Sequence, residues 1–168
     1  KQVYPAGTCA EHYVPIDQKL THTIRFQNTG NADAINVHIL DSLSDYLDIN
    51  TVKVLASSHT MYTEVLPGKV LNFVFDNIML ADSLSNEPES HGFVIFEVEP
   101  VGGITDGSIV ENKVDIYFDF NPAVETNQVY NTFVNVVPRC ESIVEEDLME
   151  EQELTVYPNP TTGRVTID

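Results

Sequence analysis

Three observations predict an antiparallel β-sandwich. Short runs of β-branched and aromatic residues alternate apolar and polar positions with a period of two; Gly, Pro and Asn turns separate these runs; and no apolar pattern repeats at helical spacing. Roughly seven to nine such runs fit an all-β fold of immunoglobulin-like type, with a barrel as the alternative. The absence of Trp and the position of the two cysteines set it apart from antibody domains, whose disulfide joins two central strands.

Taken in order, "LTHTIRFQ" (20–27) places Leu20, His22, Ile24 and Phe26 on one face and Thr21, Thr23, Arg25 and Gln27 on the other, the signature of a half-buried strand. "NTGNAD" (28–33) is turn chemistry, and "AINVHILD" resumes with Ile35, Val37 and Ile39, so these two strands are expected to pair as a hairpin. "NTVKVLAS" (50–57) aligns Val52 and Val54, and "YTEVL" is a shorter strand. Pro67-Gly68 then turns the chain into "VLNFVFD", where Leu71, Phe73 and Phe75 share a face. "LADSLSNEPESHG" (80–92) is a long polar loop, after which "FVIFEVEP" turns Val94, Phe96 and Val98 inward and Glu97 and Glu99 outward. Beyond Gly102, Gly103 and Gly107, "SIVENKVDIYFDF" keeps Val110, Val114, Ile116 and Phe118 in step, and "TFVNVVP" closes the set.

Asn112 stands in that inward register, where an apolar residue is expected. A buried amide must be hydrogen-bonded or cost about 1–3 kcal/mol, so Asn112 is expected to tie down a neighbouring loop backbone and to matter for folding.

The chain has 168 residues, with 26 acidic against 8 basic side chains and a formal charge of −18. Such a polyanion repels phosphate backbones and anionic membrane surfaces, which excludes nucleic acid as a partner. No apolar stretch of about 20 residues spans a membrane. "KQVYPAG" has neither the charged nor the apolar region of a secretory leader, so any leader is expected upstream. "ESIVEEDLMEEQE" (141–153) carries seven acids and no base and reads as a solvated, self-repelling linker. The organisation expected is a sandwich over 1–140 with its core at 20–137, an acidic linker over 141–153, and the opening of a further, incomplete domain over 154–168.

Cys9 and Cys140 lie near the two ends of the sandwich. In a cytosolic protein they would be unrelated thiols; in an exported one they would clasp the first and last strands. His12, His22, His38, His59 and His91 lack the spacing of a zinc site, and the cysteines lack C-x-x-C. Asp41, Asp45, Asp48, Asp119 and Asn121 offer oxygens that could suit calcium, but in so acidic a chain they read as solvated loop residues. No nucleophile elbow, Cys-His pairing or glycine-rich phosphate loop occurs, so neither a catalytic residue nor a cofactor is expected. Tyr46, Tyr62 and Tyr130 remain as candidate exposed platforms for a ligand.

Two resemblances extend this reading. "YPNPTTGRVTI", with Tyr157, Pro158, Asn159, Pro160 and Gly163, resembles the start of the C-terminal sorting domain of the type IX secretion system of Bacteroidetes. The resemblance implies export across the outer membrane to the cell surface or medium. It also implies, as partners, the type IX translocon and its outer-membrane shuttle barrel. "IRFQNTGNADAINVHILDSL", "NEPESHGFVIFEVEP" and "IVENKVDIYFDFNPAVETN" resemble the DUF11-related sandwich module that precedes such sorting domains and is generally viewed as a stalk or spacer. Asp41-Ser42-Leu43 and Asp82-Ser83-Leu84 resemble the motif at which these bacteria O-glycosylate exported proteins, which implies glycans on Ser42 and Ser83. The function expected is a non-catalytic spacer, with a carbohydrate-binding or adhesion module as the alternative.

Overall fold

Alternation decides which side of each strand is sealed, and the sealed sides make the core. The structure, a computed structural model, describes residues 1–140. Twelve strands run along them: β1 Gln2–Tyr4, β2 Tyr13–Pro15, β3 Leu20–Gln27, β4 Val37–Ser42, β5 Leu47–Ser57, β6 Tyr62–Leu66, β7 Val70–Phe75, β8 His91–Pro100, β9 Ser108–Asn112, β10 Val114–Phe118, β11 Val124–Glu125 and β12 Val129–Val134. They form three sheets, ordered β1-β3-β8-β5, β11-β10-β4-β7-β6 and β2-β12-β9. Every pairing is antiparallel except β2 with β12.

The first two sheets pack face to face through aromatic rings. Phe26 of β3 meets Phe75 of β7 at 5.3 Å and Phe118 of β10 at 6.2 Å between ring centroids, and Phe96 of β8 meets Phe73 of β7 at 5.2 Å. Phe73, Phe75 and Phe96 are fully buried. Sealing a side chain of this size from water contributes about 1.5–3 kcal/mol. The third sheet closes one side with Val110 and Phe133. β9 and β10 are almost continuous, and the chain passes from the third sheet to the second at Lys113 between them.

β3 and β8 follow the alternation read from the sequence, with Leu20, His22, Ile24, Phe26, Val94, Phe96 and Val98 buried. Three expectations are corrected. β3 and β4 do not pair as a hairpin: β3 lies between β1 and β8, and β4 lies between β10 and β7 in the other sheet. The reason is Asn28, whose side-chain amide donates to the carbonyls of Ala32 and Leu80 at 2.9 Å each, holding a wide connection that crosses the sandwich. Ile35 lies in that connection and is exposed, not in phase with Val37 and Ile39. β5 has register shifts between Asp48 and Lys53 and between Val54 and Ala56, so Val52 and Val54 do not share a sealed face. The run 108–120 is two strands, and the polar loop holds a short 3-10 turn at Glu87–Ser90.

β1, β2 and β11 were not legible in the sequence, because two or three residues are too few to show a period. β7 is buried on both faces, Asn72 and Val74 as well as Leu71, Phe73 and Phe75, with the Asn72 amide donating to Glu64 at 2.9 Å.

Candidate functional site: a buried Lys-Asp-Asn cluster

Asp41 continues the inward face of β4 after Val37 and Ile39, and Asn112 ends the inward face of β9 after Ser108 and Val110. Lys1 immediately precedes β1, in phase with Val3, and sends its side chain inward between them. The Lys1 ammonium lies 2.7 Å from Asp41 Oδ2, and both side chains are 0% exposed. Lys1 Nζ also donates to Asn112 Oδ1, and Asn112 Nδ2 donates to Asp41 Oδ1 at 2.9 Å. One carboxylate therefore reaches an amine with one oxygen and an amide nitrogen with the other.

The surroundings are apolar and aromatic. Lys1 Nζ stands 5.9 Å from the centre of the Phe96 ring, and His22 lies against the same ring at 5.1 Å. Burial pushes the Lys1 amine below its usual pKa, while the charge and hydrogen bond of Asp41 pull the other way. Burial, and secondarily the charge of Lys1, push the His22 imidazole well below its usual value. An isolated charge in such a place costs several kcal/mol, and a well-bonded pair roughly breaks even with apolar side chains of the same size. The cluster is therefore not explained by packing alone.

Asn112, singled out by its register, is buried and bonded, yet to the side chains of Asp41 and Lys1 and not to a loop backbone. Asp41 is a core residue, not a solvated one, because its inward β4 position faces the Lys1 ammonium. Of the other oxygen-bearing candidates, Asp45 is exposed to solvent as expected, Asp48 accepts from the Asn50 amide at 2.9 Å, Asp119 accepts from the amides of Ile35 and Asn36 at 3.2 and 2.7 Å, and Asn121 donates to the Phe118 carbonyl. Among the described residues no group of three or more His, Cys, Asp or Glu converges as metal ligands would. Lys1 was not singled out in the sequence; its one signal was the phase it shares with Val3.

Cys9 and Cys140 are joined by a disulfide with their Cα atoms 5.3 Å apart. Ser42 is exposed at the end of β4, and Ser83 is half-buried in the turn where Asp82 accepts from the amides of Leu84 and Ser85. Tyr46 lies in the turn before β5, Tyr62 on β6 and Tyr130 on β12, the last two in different sheets. The acidic linker and the sorting-signal residues Tyr157, Pro158, Asn159, Pro160 and Gly163 lie outside the described residues.

Comparison with known proteins places the chain in a family. The model of a domain of unknown function, DUF7619, matches residues 1–132, which hold the whole cluster. The chain belongs to the DUF7619 family. No curated protein sequence matches it. Among solved structures, domains D2 and D3 of the major pilin SpaD from Corynebacterium diphtheriae superpose at a TM-score of 0.51 with 18% identity, over 69% of this chain and 47% of that one. BcpA, the major pilin subunit of Bacillus cereus, does so at 0.51 with 12% identity, over 72% of this chain and 36% of that one. The DUF7619 chain thus spans less than half the length of either pilin structure, and at these identities the likeness is one of fold.

Proposed function

We propose that this DUF7619 domain is a non-catalytic spacer of a secreted or cell-surface protein, built to hold its neighbours apart without itself extending. The observation that carries the reading is a pair of ties that lock the first residues into distant parts of the fold: Lys1 to β4 and β9, and Cys9 to Cys140 across a separation of 131 residues. A disulfide closing so long a loop stabilises by about 5 kcal/mol in the chain-entropy account, and it persists only in an oxidising, extracytoplasmic compartment. Both fit a module that works outside the cell under tension.

The resemblance of residues 154–168 to a type IX sorting signal gives the export route in this proposal, with the translocon and its shuttle barrel as partners of that signal and not of the sandwich. Ser42 and Ser83 are the glycan acceptors it implies. The test is made in the parent protein: replacing the sandwich with an unrelated sandwich of equal length should leave display at the surface intact, whereas Pro160→Ala with Gly163→Val should abolish display. Loss of display on the first exchange would count against a spacer, and undiminished display in the second against the sorting signal.

A second reading, a ligand-binding module, is favoured by one groove of about 500 Å3 beside β1, lined by Tyr4, His12 and Tyr130 among others. Tyr130 donates to the Ala10 carbonyl at 2.9 Å and meets His12 edge to face, leaving Tyr4, 75% exposed, as its accessible ring. Binding on a glycan or protein array that disappears in Tyr4→Ala would support this reading over the spacer.

A further inference from the structure

The geometry points to a covalent bond: Lys1 Nζ condenses with the side-chain amide of Asn112 inside the folded domain, assisted by Asp41, to give an intramolecular amide and ammonia. This stands on the arrangement of the core and not on the spacer reading, so either can fail without the other.

Three features argue for it. The nucleophile and the electrophile are already together, because Lys1 Nζ touches the Asn112 amide through Oδ1 and therefore stands one bond from its carbonyl carbon. Holding two reactants in such a geometry replaces an encounter in solution by a step within one molecule, a gain reaching about 10⁵–10⁸ M in effective concentration. Asp41 is placed to move the protons, with Oδ2 on the attacking amine at 2.7 Å and Oδ1 on the departing amide nitrogen at 2.9 Å. Water is kept away, since Lys1 and Asp41 side chains are fully buried and Asn112 is 3% exposed, under the rings of Phe96 and His22.

The step balances. Lys1 Nζ first passes a proton to Asp41, leaving a neutral amine beside a neutral acid. The amine lone pair attacks Asn112 Cγ; Asp41 then gives its proton to Nδ2, and the Cγ–Nδ2 bond breaks to release NH3. The carboxylate takes one of the two protons left on Nζ, so that an amide N–H remains. Five protons on the amine and amide become one on the new amide, three on ammonia and one on Asp41, and no oxidant or cofactor is consumed. Burial favours the first transfer, because it holds the Lys1 amine below its usual pKa. The outcome is also favoured by the site itself, since a buried ion pair is exchanged for uncharged groups.

The experiment is the mass of the full chain, unfolded and with its disulfide reduced, after incubation near neutral pH. The expected chain is lighter than its sequence by one ammonia. Trypsin then fails to cut after Lys1 and yields the segment Lys1–Lys19 joined to Val70–Lys113 through Lys1 and Asn112. Lys1→Arg and Asn112→Ala should each restore the mass of their sequence, and Asp41→Asn, which keeps the shape, should slow the linkage by about a hundredfold or more. A wild-type chain at its full sequence mass overturns the proposal, whatever the variants do. So does ammonia lost without the joined segment, which would mark cyclisation of an asparagine on its own backbone.

Discussion

Acid should weaken this domain through one residue above the rest. His22 is 1% exposed at an inward position of β3, and neither of its ring nitrogens has a hydrogen-bond partner among the described residues. Burial and the nearby charge of Lys1 hold its pKa well below the usual imidazole value. Between the two values the unfolded chain binds a proton that the folded one does not, so stability rises with pH across that window. The contribution of neutral His22 is complete above about pH 6.5 and declines as pH falls below it. At about 1.4 kcal/mol per pH unit the loss reaches up to about 2 kcal/mol at pH 5, against about 5–15 kcal/mol for a whole domain.

Urea unfolding near pH 7.5 and near pH 5 measures it, on the wild type and on His22→Phe, an aromatic replacement that cannot titrate. The many surface carboxylates shift both proteins alike, so the difference between their pH responses isolates His22. The wild type should lose more stability than the variant on acidification. Equal losses would refute the account of His22 as a group buried in its neutral form.

Phe96→Ala removes the ring that packs on Phe73 and His22 and roofs the Lys1 amine, and should cost about 3–5 kcal/mol in chemical unfolding. Gly92→Ala should cost about 1–3 kcal/mol, because a Cβ there falls on the Phe26 ring wedged between Phe75 and Phe118; a neutral result would mean that the ring can move aside. Asp82, whose pKa is lowered by its hydrogen bonds to Ser85 and Leu84, contributes stability that is present above the usual carboxylate pKa and lost as pH falls through the lowered one. Protection of the Leu84 and Ser85 amides from exchange, taken relative to the intrinsic rate at each pH, should accordingly fall in acid, and Asp82→Ala should remove that pH dependence.

The sequence showed the parts of the fold that have one wet and one dry face. β3 and β8 alternate cleanly because their outward residues reach solvent, and Lys19 there finds Glu97 and Glu99. β7 hid its Asn72 and Val74 because both of its faces are sealed, and β5 lost its period where the register shifts. The pairing of β3 with β4 misled because turn residues such as Asn28 also build wide crossings, and the choice depends on a carbonyl at Leu80, far along the chain. The cluster was half legible. An amide in an apolar register marked Asn112, but Asp41 looked like one acid among 26, and its partner Lys1 becomes visible only when β1 docks beside β3.

Pulling the domain through residues 1 and 140 tests the spacer most directly. With the disulfide closed, only residues 1–9 can straighten, and the length released should not exceed about 30 Å at ~3.5 Å per residue. After reduction, a Lys1–Asn112 bond would still confine the release to residues 112–140, about 100 Å, whereas an unlinked chain would give about 480 Å. Release of about 480 Å from the protein before any reductant is added would contradict the inextensible spacer, because the Cys9–Cys140 tie would then not be holding it.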